Sequence, residues 1–374
     1  MDERAGWYQS QSSGYKSFIP NNLPPYPEVV IGEELTNLLV LAEQKLAELN
    51  GIGFSLPNPQ LFIVMAIRKE ALLSSQIEGT QATMTDVLTY ETWDEVDNLD
   101  DVQEVVNYSK AFRHGMERLE ELPLCIRVIK ECHEILLDSV RGFEKTPGEF
   151  RKSQNWIGPS LKNAIFVPPP QDHLPKMIGD LEKFINQHNS LPLLIRCALI
   201  HYQFETIHPF LDGNGRIGRL LIDLYIHSKG LLNKPLIYTS LFFKHHRQEY
   251  FDRLTLVRKK GDFEQWIDFF LRAMVWSGEH AVEKIKQILL LQEELRQKIM
   301  IEPKASLRSM NFLDVLFVSP LINVTNISTK LNISFQAASE QVKLFLRLGI
   351  LEELTGQSRS RRFAFAPYLR IVEE

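Results

Sequence analysis

The stretch from His208 to Arg219, His-Pro-Phe-Leu-Asp-Gly-Asn-Gly-Arg-Ile-Gly-Arg, gathers an imidazole, a carboxylate, a Gly-Asn-Gly turn and two guanidinium groups. Each suits a nucleotide polyphosphate held with a metal ion. His208 is the one group in the stretch that accepts a proton near neutral pH. Asp212 is a hard oxygen ligand of the kind Mg²⁺ takes alongside phosphates. Pro209 presets the backbone after the histidine. Gly213 and Gly215 permit dihedrals that turn successive N–H groups into one concavity around Asn214. A helix opening at 214 would add its unpaired N–H groups to the same anion site. Arg216 and Arg219 are three apart and lean toward one side of that helix. Arginine is the side chain suited to forked contact with phosphate oxygens. A base, a metal ligand and an anion pocket describe phosphoryl or nucleotidyl transfer. No Gly-x-x-x-x-Gly-Lys-Ser/Thr loop occurs, which excludes a P-loop on motif grounds.

Such groups need rigid supports, because pre-placed charge is what stabilises a transition state. Ile217, Leu220, Leu221 and Leu224 follow an i, i+3, i+4, i+7 stripe and predict a helix anchored in a bundle. A preceding helix with Leu194, Ala198, Leu199 and Tyr202 would pack against it. A second informative stretch lies upstream, Ser74-Ser75-Gln76-Ile77-Glu78-Gly79. Ser74 and Glu78 share one helix face. Glu78 falls at a helix C-terminus, where the dipole disfavours negative charge, so a cationic partner is expected.

Along the chain, residues 1–30 are polar and then proline-rich, and predict an extended arm without a core of its own. Helical periodicity runs from Glu33 to Leu49, with Gly51 and Gly53 as the stop. Asn58-Pro59 opens a second helix that ends at Gly79. The acidic run from Glu91 to Glu104 predicts a solvated loop and a helix start. Further helices are expected at 101–120, 124–138, 172–188, 191–206, 214–229, 240–259 and 262–299. Residues 155–167 predict a β-hairpin turning at Gly158-Pro159-Ser160 and carrying Trp156, Ile157 and Phe166. After Pro303, three helices (308–317, 324–331, 335–348) and two strands (351–354, 362–365) predict a winged helix-turn-helix. The expected domains are a helical region with its arm at 1–100, a core at 101–300 and the winged helix at 301–374.

The 374 residues are 44% hydrophobic and 24% charged, ordinary for a soluble globular protein. A net charge of −5 gives no global case for nucleic acid. Residues 305–374 hold eight Lys/Arg against six Asp/Glu, a balance of +2, with Arg359, Arg361 and Arg362 together on the expected wing. DNA or protein contact there is left open. The three cysteines show no metal-ligand spacing and suit a reducing compartment. No apolar run suits a signal peptide or a membrane span, so the expectation is cytoplasmic with no membrane partner. His201 and His227 fall on helix interiors and are expected to pack. His245 and His246 have no ligand-forming company.

The stretch 208–219 resembles the signature of the Fic family, His-Pro-Phe-x-(Asp/Glu)-Gly-Asn-Gly-Arg-x-x-Arg, at every fixed position. The resemblance implies a mainly α Fic-type helical bundle with a β-hairpin flap, joined here to the C-terminal winged helix-turn-helix. It implies transfer of AMP from ATP to a Ser, Thr or Tyr hydroxyl of a protein, with auto-AMPylation as one outcome. His208 would be the base and Asp212 the Mg²⁺ ligand. The turn at Gly213, Asn214 and Gly215, the residues Ile217 and Gly218 after it, and Arg216 and Arg219 would hold ATP, and Tyr250 would face the adenine. Ser74, Glu78 and Gly79 match the family's inhibitory motif, (Ser/Thr)-x-x-x-Glu-(Gly/Asn), in which the Glu pairs with the second signature arginine. Residues 155–167 resemble the flap that docks the target protein by strand addition. A homodimer is also implied. Removal of AMP by the same site, other nucleotide-like donors, and a nucleotide-sensing transcriptional regulator remain alternatives.

Overall fold

The computed structural model describes residues 4–56, 58–140, 143–303, 305–356 and 361–373. Arg359 lies outside the described residues. The fold is mainly helical. Around the site the order is α1 (Glu33–Ser55), α2 (Pro59–Ile77), α3 (Met84–Trp93), α4 (Leu99–Arg118), α5 (Ile126–Leu136), α6 (Leu174–Asn186), α7 (Leu193–Ile207), α8 (Asn214–Ser228), α9 (Ser240–His245), α10 (Arg247–Lys260) and α11 (Phe263–Met300). Helices α7 and α8 form the centre. Fourteen of the fifteen residues of α7, from Leu194 onward, are buried, which is why its apolar pattern shows almost no polar face. Helices α2, α4 and α5 pack against α8, and α6 and α11 pack against α7.

Several expectations change. Helix α1 does not stop at Gly51 but runs through Gly53 to Ser55. A side chain at Gly53 would press on Leu236, so this glycine serves close packing rather than termination. The acidic stretch is preceded by a helix not foreseen, α3, opened by a reciprocal capping box between Thr83 and Asp86. The expected helix over 240–259 is two helices broken at His246.

The N-terminal arm is not a coreless extension. Strands β1 (Gly6–Ser10) and β2 (Lys16–Pro20) form an antiparallel hairpin. Phe18 and Ile19 are buried in the main core. Arg4 fixes the arm by a two-pronged ion pair to Glu264 in the first turn of α11, at 2.8 and 2.9 Å. The Phe18 N–H donates to the Val167 carbonyl at 2.9 Å, so the arm braces the stretch that carries the expected flap.

That stretch is a loop closed by a single antiparallel bridge, Ile157 to Phe166, rather than a hairpin with extended strands. Gly158, at φ +127, lets the loop depart beside Ile165 without a clash, and the turn itself lies at Ser160–Asn163. Trp156, Ile157 and Ile165 are exposed while Phe166 is buried.

The last quarter holds α12 (Leu307–Val318), β3 (Leu321–Asn323), α13 (Val324–Leu331), α14 (Phe335–Arg347), β4 (Glu352–Glu353), β5 (Arg362–Ala364) and α15 (Ala366–Glu373). The three helices and two strands expected here form, and β3 and α15 are additional. The sheet is antiparallel in the order β3-β5-β4. This unit is seated on α2 and its neighbours. Arg68 donates to the Val318 carbonyl at 3.2 Å and Lys69 to the Val372 carbonyl at 2.6 Å. Arg362 pairs with Glu95 and lies over the Trp93 ring, and Arg361 pairs with Glu353. One buried apolar cluster runs from Ala5 to Val372. Among the described residues no helix is long and apolar enough to cross a membrane.

Phe18→Ala should cost about 3–5 kcal/mol, the range for emptying a buried aromatic site. Urea denaturation checks this. Limited proteolysis should show faster cleavage within 155–167, since the arm braces the base of that loop.

Candidate active site

The site is built where two helix ends meet. Helix α7 ends at His208, whose backbone takes the left-handed conformation at φ 50 and ψ 59. For a residue other than glycine this costs free energy unless neighbours enforce it. Two neighbours do so. Arg151, buried, donates from Nε to the His208 carbonyl at 2.9 Å and from Nη2 to the carbonyls of Pro169 and Ile207. The Arg151 N–H bonds the Pro209 carbonyl at 2.9 Å. Asn155 donates to the Phe210 carbonyl at 2.8 Å and the His208 carbonyl at 3.3 Å. The base of the flap loop therefore holds the histidine's backbone.

The His208 ring is turned by its own helix. Nδ1 lies 3.2 Å from the Glu205 carbonyl, which can only accept, so Nδ1 carries the proton and Nε2 keeps a lone pair. Burial pushes its pKa down to about 4, with the Glu205 carbonyl opposing and Arg151 assisting. The ring is neutral at pH 7 and available as a proton acceptor.

The loop that follows is clasped twice. The Asn214 side chain closes it, accepting from the Phe210 N–H at 2.8 Å and donating to the Phe210 carbonyl at 2.9 Å. Its amide is thus a loop clasp, and only its backbone N–H faces the expected anion site. His133 makes the second clasp. It stacks on Phe210 at 3.7 Å, accepts from the Gly148 N–H at 2.9 Å and donates from Nε2 to the Asp212 carbonyl at 3.0 Å. Gly213, at φ 75, turns the chain into α8. Asp212 accepts from the Gly213 N–H at 2.6 Å through one oxygen and is 41% exposed. Its oxygens fit a Mg²⁺ completed by substrate phosphates and water. Among the described residues no cluster of three or more His, Cys, Asp or Glu is placed to hold a metal by itself.

The two signature arginines are both already engaged. Arg216 reaches Glu104 on α4 at 3.2 Å and Asp212 at 3.7 Å. Arg219 is fully buried. Its Nε donates to Ser74 Oγ at 2.8 Å, and its Nη2 to the Ser74 carbonyl at 2.9 Å and Glu78 Oε1 at 2.6 Å. Its Nη1, facing Gly215, has no partner. Glu78 lies so close over the first turn of α8 that a Cβ at Gly215 would collide with its carboxylate. Burial works against the Glu78 charge, but Arg219 outweighs it, and the carboxyl stays below its ordinary pKa. The helix-end carboxylate thus meets the cation that its position called for. Gly79, at φ +106, ends α2 just beyond it. Ile217 is a buried core residue, and Gly218 gives its carbonyl to His201 at 2.8 Å.

Tyr250 is placed differently from the expectation. It is buried, bonded to His201 at 2.8 Å and stacked on Phe243, so its ring belongs to the aromatic core and presents no open face to an adenine. His201 packs as expected. Glu104, His133, Arg151 and Asn155 position the site and were not foreseen. No local spacing marks them, because each acts across a long sequence separation.

Residues 36–117 match the family model described as Fic/DOC family N-terminal, and residues 123–226 the one described as Fic/DOC family. The chain carries a Fic domain. Among curated relatives, protein adenylyltransferase Fic of Drosophila grimshawi is 28% identical over 231 residues, 58% of this chain and 45% of the relative. The Drosophila melanogaster protein of the same name is 27% identical over 248 residues, 62% and 47% respectively. The chain spans about half the length of these relatives. Among solved structures, a Fic family protein from Desulfovibrio desulfuricans G20 superposes with a TM-score of 0.60 at 19% identity, covering 90% of this chain and 97% of the other. Fic-1 (residues 134–508) from C. elegans gives 0.53 at 19% identity, covering 67% and 72%. At such identities the likeness is one of fold. The fold is therefore that of Fic proteins over most of the chain, and the Fic domain match ends within α8, just past both signature arginines.

His133 supplies a pH test of the loop clasp. Burial lowers its pKa to about 4, so folded His133 stays neutral where the unfolded residue, near 6.5, takes a proton. The unfolded chain binds the extra proton, so stability falls as pH drops through that window. His133→Phe keeps the stack and removes the titration. Relative to wild type, its unfolding free energy should lose about 1.4 kcal/mol per pH unit less between about pH 6 and about pH 4.5. Urea titrations across that range measure the difference.

Proposed function

We propose that this chain is a protein adenylyltransferase held inactive by its own helix α2. One observation carries the reading. A neutral base, His208, ends α7 six residues before the first turn of α8, and the buried Arg219 of α8 is held by Glu78 at the end of α2. A proton acceptor close to a helix N-terminus is what attack on a phosphate needs.

In the reaction, a Ser, Thr or Tyr hydroxyl of a target protein attacks the α-phosphorus of ATP. The new bond joins the hydroxyl oxygen to phosphorus. The bond to the bridging oxygen breaks, and pyrophosphate leaves with the electron pair. His208 Nε2 takes the hydroxyl proton. The N–H groups of Asn214 and Gly215, with Arg216 and Arg219, bind the polyphosphate, joined by the Gly213 N–H once Asp212 releases it. Asp212 would hold Mg²⁺, which neutralises charge on the phosphates when bound. A target segment would lie along 155–167, where Trp156, Ile157 and Ile165 are exposed beside the residues that anchor His208.

Glu78 occupies the place a terminal phosphate would take. It uses Arg219 Nη2 and covers Gly215, so the polyphosphate and Glu78 compete for one cation. Arg216 must also loosen its hold on Glu104 to reach a phosphate. For residues 301–374 the reading favours docking on α2 over binding DNA, since Arg361 and Arg362 are already paired with Glu353 and Glu95.

Labelled ATP with Mg²⁺ and a cell lysate tests the proposal. Glu78→Gly should raise AMP incorporation by about 10-fold or more, equivalent to about 1.4 kcal/mol of barrier. His208→Ala in the same background should abolish it. Unchanged incorporation in Glu78→Gly would rule out inhibition by Glu78. Loss of AMP removal from a premodified target in that variant would instead favour hydrolytic removal of AMP, with Glu78 aligning the water.

A further inference from the structure

Glu205 lies one turn before His208 on α7, and the transfer scheme uses only its backbone carbonyl. Its side chain is 8% exposed, and Oε1 is buried with no hydrogen-bond partner. A buried carboxyl group left without a hydrogen bond is costly, so this is an unusual thing for a fold to retain. Helix α8 makes room for it through a missing side chain, because a Cβ at Gly218 would collide with Glu205 Oε1. Gly218 is three residues after Gly215, the glycine against which Glu78 rests. Two carboxyl groups therefore press on one side of α8, through glycines one turn apart.

The charged and titratable groups around Glu205 come from every neighbouring element. They are Arg219 on α8, Glu78 at the end of α2, Arg258 and Tyr250 on α10, and His208 at the end of α7. Neither arginine bonds it. Arg219 is directed to Ser74 and Glu78. Arg258 bonds Thr255 Oγ1 at 3.1 Å and lies 4.0 Å over the Phe166 ring. Two buried guanidinium groups flank a carboxyl that they leave unbonded, and through Gly218 that carboxyl lies one helical turn from the glycine that Glu78 covers.

We propose that Glu205 is a further nucleotide-contacting residue, whose protonated carboxyl donates a hydrogen bond to a phosphate oxygen of ATP once Glu78 has left. This rests on the adenylyl-transfer reading and extends it to the floor of the pocket. Burial raises the Glu205 pKa to about 7, with Arg219 opposing and Glu78 adding. When a polyphosphate replaces Glu78, the negative charge nearby grows and the proton is held more tightly. Ionised Glu205 would repel the phosphates. Binding therefore takes up a proton, and affinity falls as pH rises above the pKa of the free state.

The test is calorimetric titration of the full chain with ATP and Mg²⁺, from about pH 6.5 to about pH 9, above the phosphate ionisation near 6. In the Glu78→Gly background, ATP affinity should fall about 10-fold or more over this range, one unit of pKa difference being tenfold. Adding Glu205→Gln, which keeps shape and a donor without a titration, should flatten the profile and keep the affinity of the low-pH form. Adding Glu205→Ala should flatten it at a weaker affinity. A pH dependence that persists in Glu205→Gln overturns the proposal, as does a flat profile in the Glu78→Gly parent. No ATP binding by that parent at any pH would overturn the adenylyl-transfer reading itself, and this inference with it.

Discussion

The structure turns on one buried cation. Arg219 has no solvent contact, and moving a guanidinium out of water is costly unless charge and hydrogen bonds replace the hydration. Ser74 and Glu78 supply three of those bonds from α2, a helix about 140 residues earlier in the chain. The same contact settles the awkward charge of Glu78 at a helix end. It draws α2 onto α8 and brings a carboxylate over Gly215. A fold that needs Arg219 buried is thereby driven to fill the site that Arg219 would offer a phosphate. The partnerless Nη1 is the part of that offer left open.

Around this pair, the remaining site is a matter of helix ends held in strained or precise positions. His208 keeps a left-handed backbone because Arg151 and Asn155 hold its carbonyl. The loop after it keeps its shape because Asn214 and His133 clasp it. These side chains touch no substrate in the proposed scheme. They fix where the base and the N–H groups stand, and small misplacements of either are expensive in rate. The C-terminal unit adds a further constraint on α2 through Arg68 and Lys69, six and five residues before Ser74. A partner that moved that unit would pull on the helix that carries Ser74 and Glu78.

What was legible in the sequence was what is local in it. The signature and the Ser74–Glu78 face lie within single turns of helix, so spacing alone shows which side chains share a side. The pairing of Glu78 with Arg219 followed from the resemblance, and the dipole argument required only some cation. Glu104, His133, Arg151 and Asn155 were not legible. They meet the signature across separations from 53 to 112 residues, which only the packed bundle creates. Tyr250, expected to face the adenine, is buried with its hydroxyl on His201 and its ring on Phe243, an aromatic site that a pattern of one tyrosine cannot reveal. The arm was missed because prolines obscured five-residue strands. Thr83-x-x-Asp86 was a capping signal for α3, hidden by the acidic run after it. The stretch 155–167 was read with too much strand, since one bridge from Ile157 to Phe166 closes it.

The central claim is that Glu78 and a terminal phosphate compete for Arg219. Dissociation constants of AMP, ADP and ATP, each with Mg²⁺, for wild type and for Glu78→Gly, test it most directly. The account predicts that removing Glu78 tightens ATP most, ADP less and AMP hardly at all. An equal gain for all three nucleotides, or none for ATP, would contradict it.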